Sequence, residues 1–465
     1  MGKTKRLLSA ARTVNVHIRK SVSQTSGERE MKKSIHVVGG GLAGCEAAHF
    51  IARAGVKVHL WEMRPKQTTP VHYGGDLAEL VCSNSLKSEL KDTAQGLLKM
   101  EMDSLGSLVL KCARLTRVPA SAALAVDRKR FSALMTQTII ADPNIEIIRQ
   151  EITELPTDEI CIIATGPLTS EAFSQYLQKM TGQNNLFFYD AIAPSVTSQS
   201  IDYQKVFRAS RYKKGEADYL NCPFSQTEYE NFYYNLMDAD VKTAAAIDED
   251  RFFNACMPIE VMAEKGIDTL RFGPMRPVGL FPPGTDARPY AVVQLRQEDR
   301  EGNIFGLVGF QSRIRWKEQE RVFRMIPGLE NAEFVRFGSM HRNTYINSPL
   351  ILNPTLQSKN NENIFWAGQI TGVEGYMESA ASGIFAGINA LRFYKGLDLL
   401  ILPLETMMGS LLNFIGTAKE KNFQPINANF GILPPLENHV KDKKRRYAMY
   451  IVRAWELMTK FSELL

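Results

Sequence analysis

The stretch from Ser34 to Met63 constrains this chain more than any other. It reads as a strand (Ile35–Val38), a Gly-rich turn (Gly39–Gly44), a helix to about Ala54 and a second strand (Val56–Met63). That order is the βαβ opening of a doubly wound α/β fold. Gly39, Gly41 and Gly44 have the G-x-G-x-x-G spacing, with Gly40, Leu42 and Ala43 between them. The first glycine permits the tight turn, the second lets a pyrophosphate approach the backbone, and the third lets helix pack on strand. The phosphates then meet the amides and positive dipole end of the helix. Glu62 closes the second strand 23 residues after Gly39, where an acid can accept hydrogen bonds from an adenosine ribose. Together these features predict a dinucleotide site.

Two later segments repeat a strand that ends in glycine: Ile160–Ala164 running into Thr165-Gly166, and Asn363–Ala367 running into Gly368-Gln369. The second is followed by a small-residue helix, Glu378–Gly387. This arrangement resembles flavoproteins of the two-dinucleotide-binding-domain type and favours FAD over NAD at the site. Many of those proteins place an Asp on the flavin ribitol where Gln369 stands here, and a Gln can still bond a hydroxyl. The Gly383/Gly387 spacing also has a plain reading as helix–sheet packing. The expected fold is α/β, a Rossmann-like FAD-binding domain in two parts (31–185 and 331–400) with an inserted α+β domain (186–330). A helical C-terminal segment (401–465) and a basic N-terminal extension (1–30) complete the chain. The cofactor-binding candidates are Gly39, Gly40, Gly41, Leu42, Ala43, Gly44, Glu62, Thr165, Gly166, Gly368 and Gln369.

Composition narrows the class further. With 465 residues, 44% of them hydrophobic, the chain can bury a large core. Its apolar runs, such as the one near position 400 broken by Pro403, Glu405 and Gly409, are too short to span a membrane. Of the net charge of +6, residues 1–30 supply most, with seven Lys/Arg against Glu28 and Glu30. A nucleic-acid partner must therefore be argued from local clusters. Leu7–Ala11 is too short for a secretory core, which makes a cytoplasmic location the expectation. Met31 reads as a natural start, with an organellar leader as the other reading. The six cysteines contain no CxxC pair, so neither a zinc site nor a disulfide framework is expected.

Cys45, Cys112 and Cys161 sit in apolar or mixed contexts and read as small buried hydrophobes. Cys82 (Leu-Val-Cys-Ser-Asn-Ser), Cys222 (Leu-Asn-Cys-Pro-Phe) and Cys256 (Asn-Ala-Cys-Met-Pro-Ile-Glu) stand in polar or turn-like contexts. At these blocks, and at GGGLAGCEAA, LVCSNSLKSE, CMPIEVMAEKGIDTLRFGPMRPVGL and FWAGQITGVEGYMESAASGIFAGINALR, the sequence resembles the folate- and FAD-dependent tRNA (uracil-5-)-methyltransferases. The resemblance runs from about Lys33 to at least Arg392. It implies methylation of carbon 5 of a uridine, position 54 in the T-loop of tRNA, with 5,10-methylenetetrahydrofolate as carbon donor, FAD as reductant, and NADPH or NADH as electron source.

It also implies catalytic roles for two thiols. Carbon 5 of uracil is a poor nucleophile until a soft, ionisable group adds to carbon 6, the role the family gives to the residue matching Cys256. The proton on carbon 5 must then leave, and the residue matching Cys82 takes it. Cys222 matches a third family cysteine and reads as structural, while Tyr345 reads equally as a flavin neighbour or an ordinary packed aromatic.

An enzyme acting on a base must hold the RNA outside the pocket. The candidate contacts are Arg211–Lys214, Arg313–Lys317, His341-Arg342 and Lys441–Arg446, each of which also reads as a solvated face. The rivals are a related FAD enzyme acting on ribosomal RNA or on the tRNA wobble uridine, and a non-catalytic RNA-binding flavoprotein. The last would have no need of Cys82 or Cys256.

Overall fold

The computed structural model describes residues 34–69, 71–156, 158–184, 186–213, 216–241, 257–421 and 423–465. Cys256, Lys214 and the extension 1–30 lie outside the described residues.

Five parallel strands build the first sheet: β1 (Ser34–Val38), β2 (Lys57–Trp61), β3 (Ile145–Ile148), β4 (Ile160–Ile163) and β5 (Ile364–Trp366). Their spatial order is β5-β4-β1-β2-β3. All the apolar residues of β1, β4 and β5 are buried, as expected of strands covered on both faces. Helix α1 (Leu42–Arg53) links β1 to β2 and lies against a long helix late in the chain (Tyr376–Tyr394). The glycines explain how closely the two approach: a Cβ at Gly383 would lie 2.2 Å from the Ala43 carbonyl oxygen, and one at Gly387 would lie 3.1 Å from Ala47 Cα. The spacing left open between packing and cofactor binding thus serves packing, though of helix on helix and not of helix on sheet as expected.

The second sheet is antiparallel throughout. Its order is Phe207–Arg208, Leu220–Phe224, Ala291–Gln297, Ile304–Leu307, Ser195–Thr197, Phe334–Arg336. It has its own core, in which Cys222, Phe224, Phe232, Val293, Phe305 and Phe310 are buried. Both passages of chain between the two bodies belong to one ribbon, Leu186–Ile192 paired antiparallel with Ser339–Tyr345.

Beyond the first sheet, the helix Met407–Thr417 is held at its start by the Glu101 carboxylate, which accepts from the Met407 and Met408 amides at 2.7 Å each. The last helix, Lys443–Ser462, buries Tyr450, Ala454, Met458 and Phe461, a 3–4 residue spacing that lays one stripe on the core. Among the described residues no helix is long and apolar enough to cross a membrane.

Candidate functional site

The C-terminal ends of β1, β2, β4 and β5 open onto a cleft of about 1030 Å³, where open α/β sheets bind ligands. Its floor is the glycine turn. Gly39 has φ +108°, and a Cβ there would lie 2.4 Å from the Ala164 carbonyl oxygen. A Cβ at Gly44 would lie 1.8 Å from the Gly39 carbonyl oxygen, so the turn closes tightly on the first helical residues. Gly41 differs, with nothing within 4 Å of the Cβ it lacks. The space in front of the α1 amides is free, and Leu42 and Ala43 border it. A dinucleotide pyrophosphate fits this cradle.

Glu62 is buried and fully engaged. Its Oε2 accepts from the Gly40 amide (3.0 Å) and Arg64 Nη2 (3.1 Å), and its Oε1 from the Arg64 amide and Nε (2.9 Å each). Burial pushes its pKa up, but the Arg64 hydrogen bonds and charge outweigh this and hold the carboxyl below its ordinary range. A carboxylate has about four lone-pair sites. A ribose hydroxyl would share an oxygen already bonded, so Glu62 anchors the turn and Arg64 as much as it faces a ligand. Arg64 also pairs with Glu79 at 3.1 Å.

At the other end, Thr165, Gly166, Gly368 and Gln369 line the same cleft. Thr165 and Thr169 share a hydroxyl bond of 2.6 Å, and the Gly368 amide donates to Ser382 Oγ at 2.7 Å. Gln369 turns its amide toward Glu374 Oε2 (2.5 Å). Glu374 belongs to a buried polar strip reaching the ribbon. Burial, followed by the charge of Asp190, raises its pKa to about 8. Asp190 faces His341 at 3.9 Å, and burial lowers the His341 pKa against that pull. On the first turn of the Tyr376–Tyr394 helix, Glu378 accepts from the Ala428 amide and from Lys87 Nζ. Close by, the buried Lys99 donates to the Ser88 carbonyl, and desolvation lowers its pKa to about 8.

Cys82 is the half-buried thiol of the described set, with Cys45, Cys112, Cys161 and Cys222 all buried. Burial drives the Cys45 and Cys222 pKa values upward, which keeps them as inert thiols. The Cys82 and Ser83 amides both donate to the hydroxyl of Tyr376, at 2.8 and 3.3 Å, and Tyr376 lines the cleft. Val81 lines it too, and its carbonyl accepts from Arg336 at 3.3 Å. Asn84, wholly buried, donates to the Gln297 carbonyl and accepts from Arg296, tying this loop to the second sheet. Tyr345 is a packed aromatic: its hydroxyl donates to the Phe423 carbonyl at 3.2 Å.

Sequence reasoning did not single out Tyr376, Arg64, Glu374 or Arg336. Tyr376 alone had a local signal, standing between Gly375 and the small-residue helix. Two of the basic clusters have their first arginine folded back onto the protein, while Arg315, Trp316 and Lys317 of the second stay exposed. Arg211 donates to Gln294 and to the Arg276 and Val278 carbonyls, and Arg313 is held by Glu260 and Glu264. Arg342 lies over the Phe187 ring, whereas Lys443, Lys444 and Arg445 are exposed on the first turn of the last helix. Among the described residues no cluster of three or more His, Cys, Asp or Glu is arranged to hold a metal.

The parallel sheet, its glycine turn and the cleft define a Rossmann-like FAD-binding protein with an inserted antiparallel body. Residues 34–398 match the family model described as glucose inhibited division protein A. The chain is 60% identical over 433 residues (93% of the chain, 99% of the relative) to a protein of Syntrophomonas wolfei named methylenetetrahydrofolate–tRNA-(uracil-5-)-methyltransferase TrmFO. A protein of the same name from Pelotomaculum thermopropionicum is 54% identical over the same shares of the two chains. Among solved structures, GidA of Aquifex aeolicus overlays with a TM-score of 0.66 at 18% identity, over 93% of this chain and 76% of that one, a likeness of fold. The chain belongs to the methylenetetrahydrofolate–tRNA-(uracil-5-)-methyltransferase TrmFO family.

Proposed function

We propose that this protein methylates carbon 5 of a uridine in tRNA, in the T-loop, using 5,10-methylenetetrahydrofolate as carbon source, FAD as resident cofactor and NADPH or NADH as electron donor. The observation that carries the reading is the position of Cys82. It is half-buried, on a loop pinned by the cleft residue Tyr376, beside a cradle built for a dinucleotide. The names of relatives matching 93% of the chain support the substrate class.

In this reading Gly39, Gly40, Gly41, Leu42, Ala43 and Gly44 hold the cofactor's pyrophosphate, with Glu62 at its ribose end. Thr165, Gly166, Gly368 and Gln369 border its other half. Bound in reduced form, FAD supplies hydride chemistry to the uracil substituent. Cys256 adds as thiolate to carbon 6, so that carbon 5 becomes nucleophilic and takes up the one-carbon unit. As the methylene carbon joins carbon 5, one of its bonds to folate nitrogen breaks. Cys82 then accepts the carbon 5 proton as the second breaks and tetrahydrofolate leaves. This gives an exocyclic methylene with Cys256 still on carbon 6, and hydride addition to that methylene would expel the Cys256 thiolate. Tyr376 orients the Cys82 loop through its two amide bonds.

The test is label transfer. Purified protein supplied with reduced nicotinamide and folate labelled in its methylene carbon should place label in 5-methyluridine. Label arriving from S-adenosylmethionine instead would sink the reading.

A further inference from the structure

Behind Cys82, where the loop meets the second sheet, three guanidinium groups converge on one carboxylate. Arg128 is ion-paired with Glu298, and Arg336 Nη2 lies 3.6 Å from Glu298 Oε1. Arg296 stands two residues before Glu298 along the chain and donates to Asn84 Oδ1 at 2.8 Å. Ser195 Oγ completes the surroundings of Glu298 at 3.0 Å. Three positive charges thus share one negative charge. Arg336 is only 9% exposed, and its Nε has no hydrogen-bond partner. A buried donor without a partner and an uncompensated charge both cost stability. Arg128, 21% exposed, leaves the cluster open on one side.

Two arms of this cluster reach the reactive loop, and the third, Arg128, is paired with Glu298. Arg336 binds the carbonyl of Val81, Arg296 binds Asn84, and Cys82 lies between them. We infer that Arg128, Arg296 and Arg336 form the seat of the phosphodiester adjoining the uridine that reacts. The inference rests on the RNA-methylating function proposed above and assigns the residues that hold its substrate. A planar guanidinium offers paired donors that match phosphate oxygens, and extruding a base requires its own backbone linkage to be gripped. A domain latch alone would not need the surplus charge. Such a latch is already present nearby, in Arg130 paired with Glu301 and in the Arg300 amide on Asp127.

The experiment uses the full chain and a tRNA stem-loop carrying one neutral methylphosphonate, placed 5′ or 3′ of the reactive uridine. One of the two placements should weaken binding to the wild type about 10- to 100-fold. Arg128→Gln and Arg336→Gln should weaken binding of unmodified RNA by a similar factor and be insensitive to that same modification. Wild-type binding that ignores both placements overturns the inference, as do losses in variant and modified RNA that simply add. Should a variant fail to fold, the wild-type comparison decides alone. A wild type that binds no unmodified stem-loop counts against the RNA reading itself, a distinct result.

Discussion

The amide of Cys82 donates to the phenol oxygen of Tyr376 at 2.8 Å, although 294 positions separate them in the chain. The first part of the cleft therefore takes its geometry from the last. Tyr376→Phe keeps the ring and leaves two amides without their acceptor, at about 1–3 kcal/mol for a buried donor. We expect a modest loss of thermal stability and a fall in kcat for methyl transfer that exceeds any change in the KM for RNA. Equal turnover by the variant would remove Tyr376 from its positioning role.

The glycines separate packing from binding. Gly383→Ala drives a methyl into the Ala43 carbonyl, and overpacking of this kind costs about 1–3 kcal/mol. Gly41→Ala meets no protein atom within 4 Å, so the unliganded fold should melt as the wild type does. Its methyl occupies the space before the α1 amides, and the purified variant should carry less flavin, read from absorbance near the visible maximum. Full flavin content in Gly41→Ala would move the pyrophosphate elsewhere.

The two thiols are expected to fail differently. Cys256→Ala should no longer trap a 5-fluorouridine RNA as a covalent adduct, because no nucleophile adds to carbon 6. Cys82→Ala should lose turnover yet still form the adduct. Gel shifts under denaturing conditions distinguish them, and survival of the adduct in Cys256→Ala would reverse the roles.

Glu101 gives a pH test of stability. Burial raises its pKa from 4.5 to about 8, against the pull of the Met408 and Met407 amides. Between those values the folded state holds a proton that the unfolded state has released. Stability contributed below the lower value is therefore lost as pH rises through the window, at up to about 1.4 kcal/mol per pH unit. Glu101→Gln cannot ionise, so urea unfolding at about pH 5 and about pH 8 should differ less in the variant. Glu46 (raised to about 7) and Glu374 (about 8) keep the same sign and remain. An unchanged slope in the variant would show that Glu101 does not titrate there.

What the sequence revealed was local. The opening strand, turn and helix are contiguous, and each glycine's duty follows from neighbours a few residues away. The strands ending at Ala164 and Ala367 were legible for the same reason. Less visible were partnerships made by folding. Glu62 reads as a ribose acceptor, and nothing local reports that Arg64 and the Gly40 amide also bond its oxygens. Lys99 carries no sequence signal of its burial against the Ser88 carbonyl. Arg211 and Arg313 look like RNA contacts because composition cannot tell a free guanidinium from one folded back onto carbonyls or carboxylates. Glu101 caps a helix from 306 residues away, which no periodicity reports.

The ribbon of Leu186–Ile192 and Ser339–Tyr345 is the sole strand ladder joining the two bodies among the described residues. Slipping such a ladder by one residue would turn every side chain to the wrong face, so its register is fixed. Asn84 on Gln297 and Arg296, and the pairs Arg128–Glu298 and Arg130–Glu301, tie the same two bodies at a second place, so the inserted body is braced at both its entry and its flank.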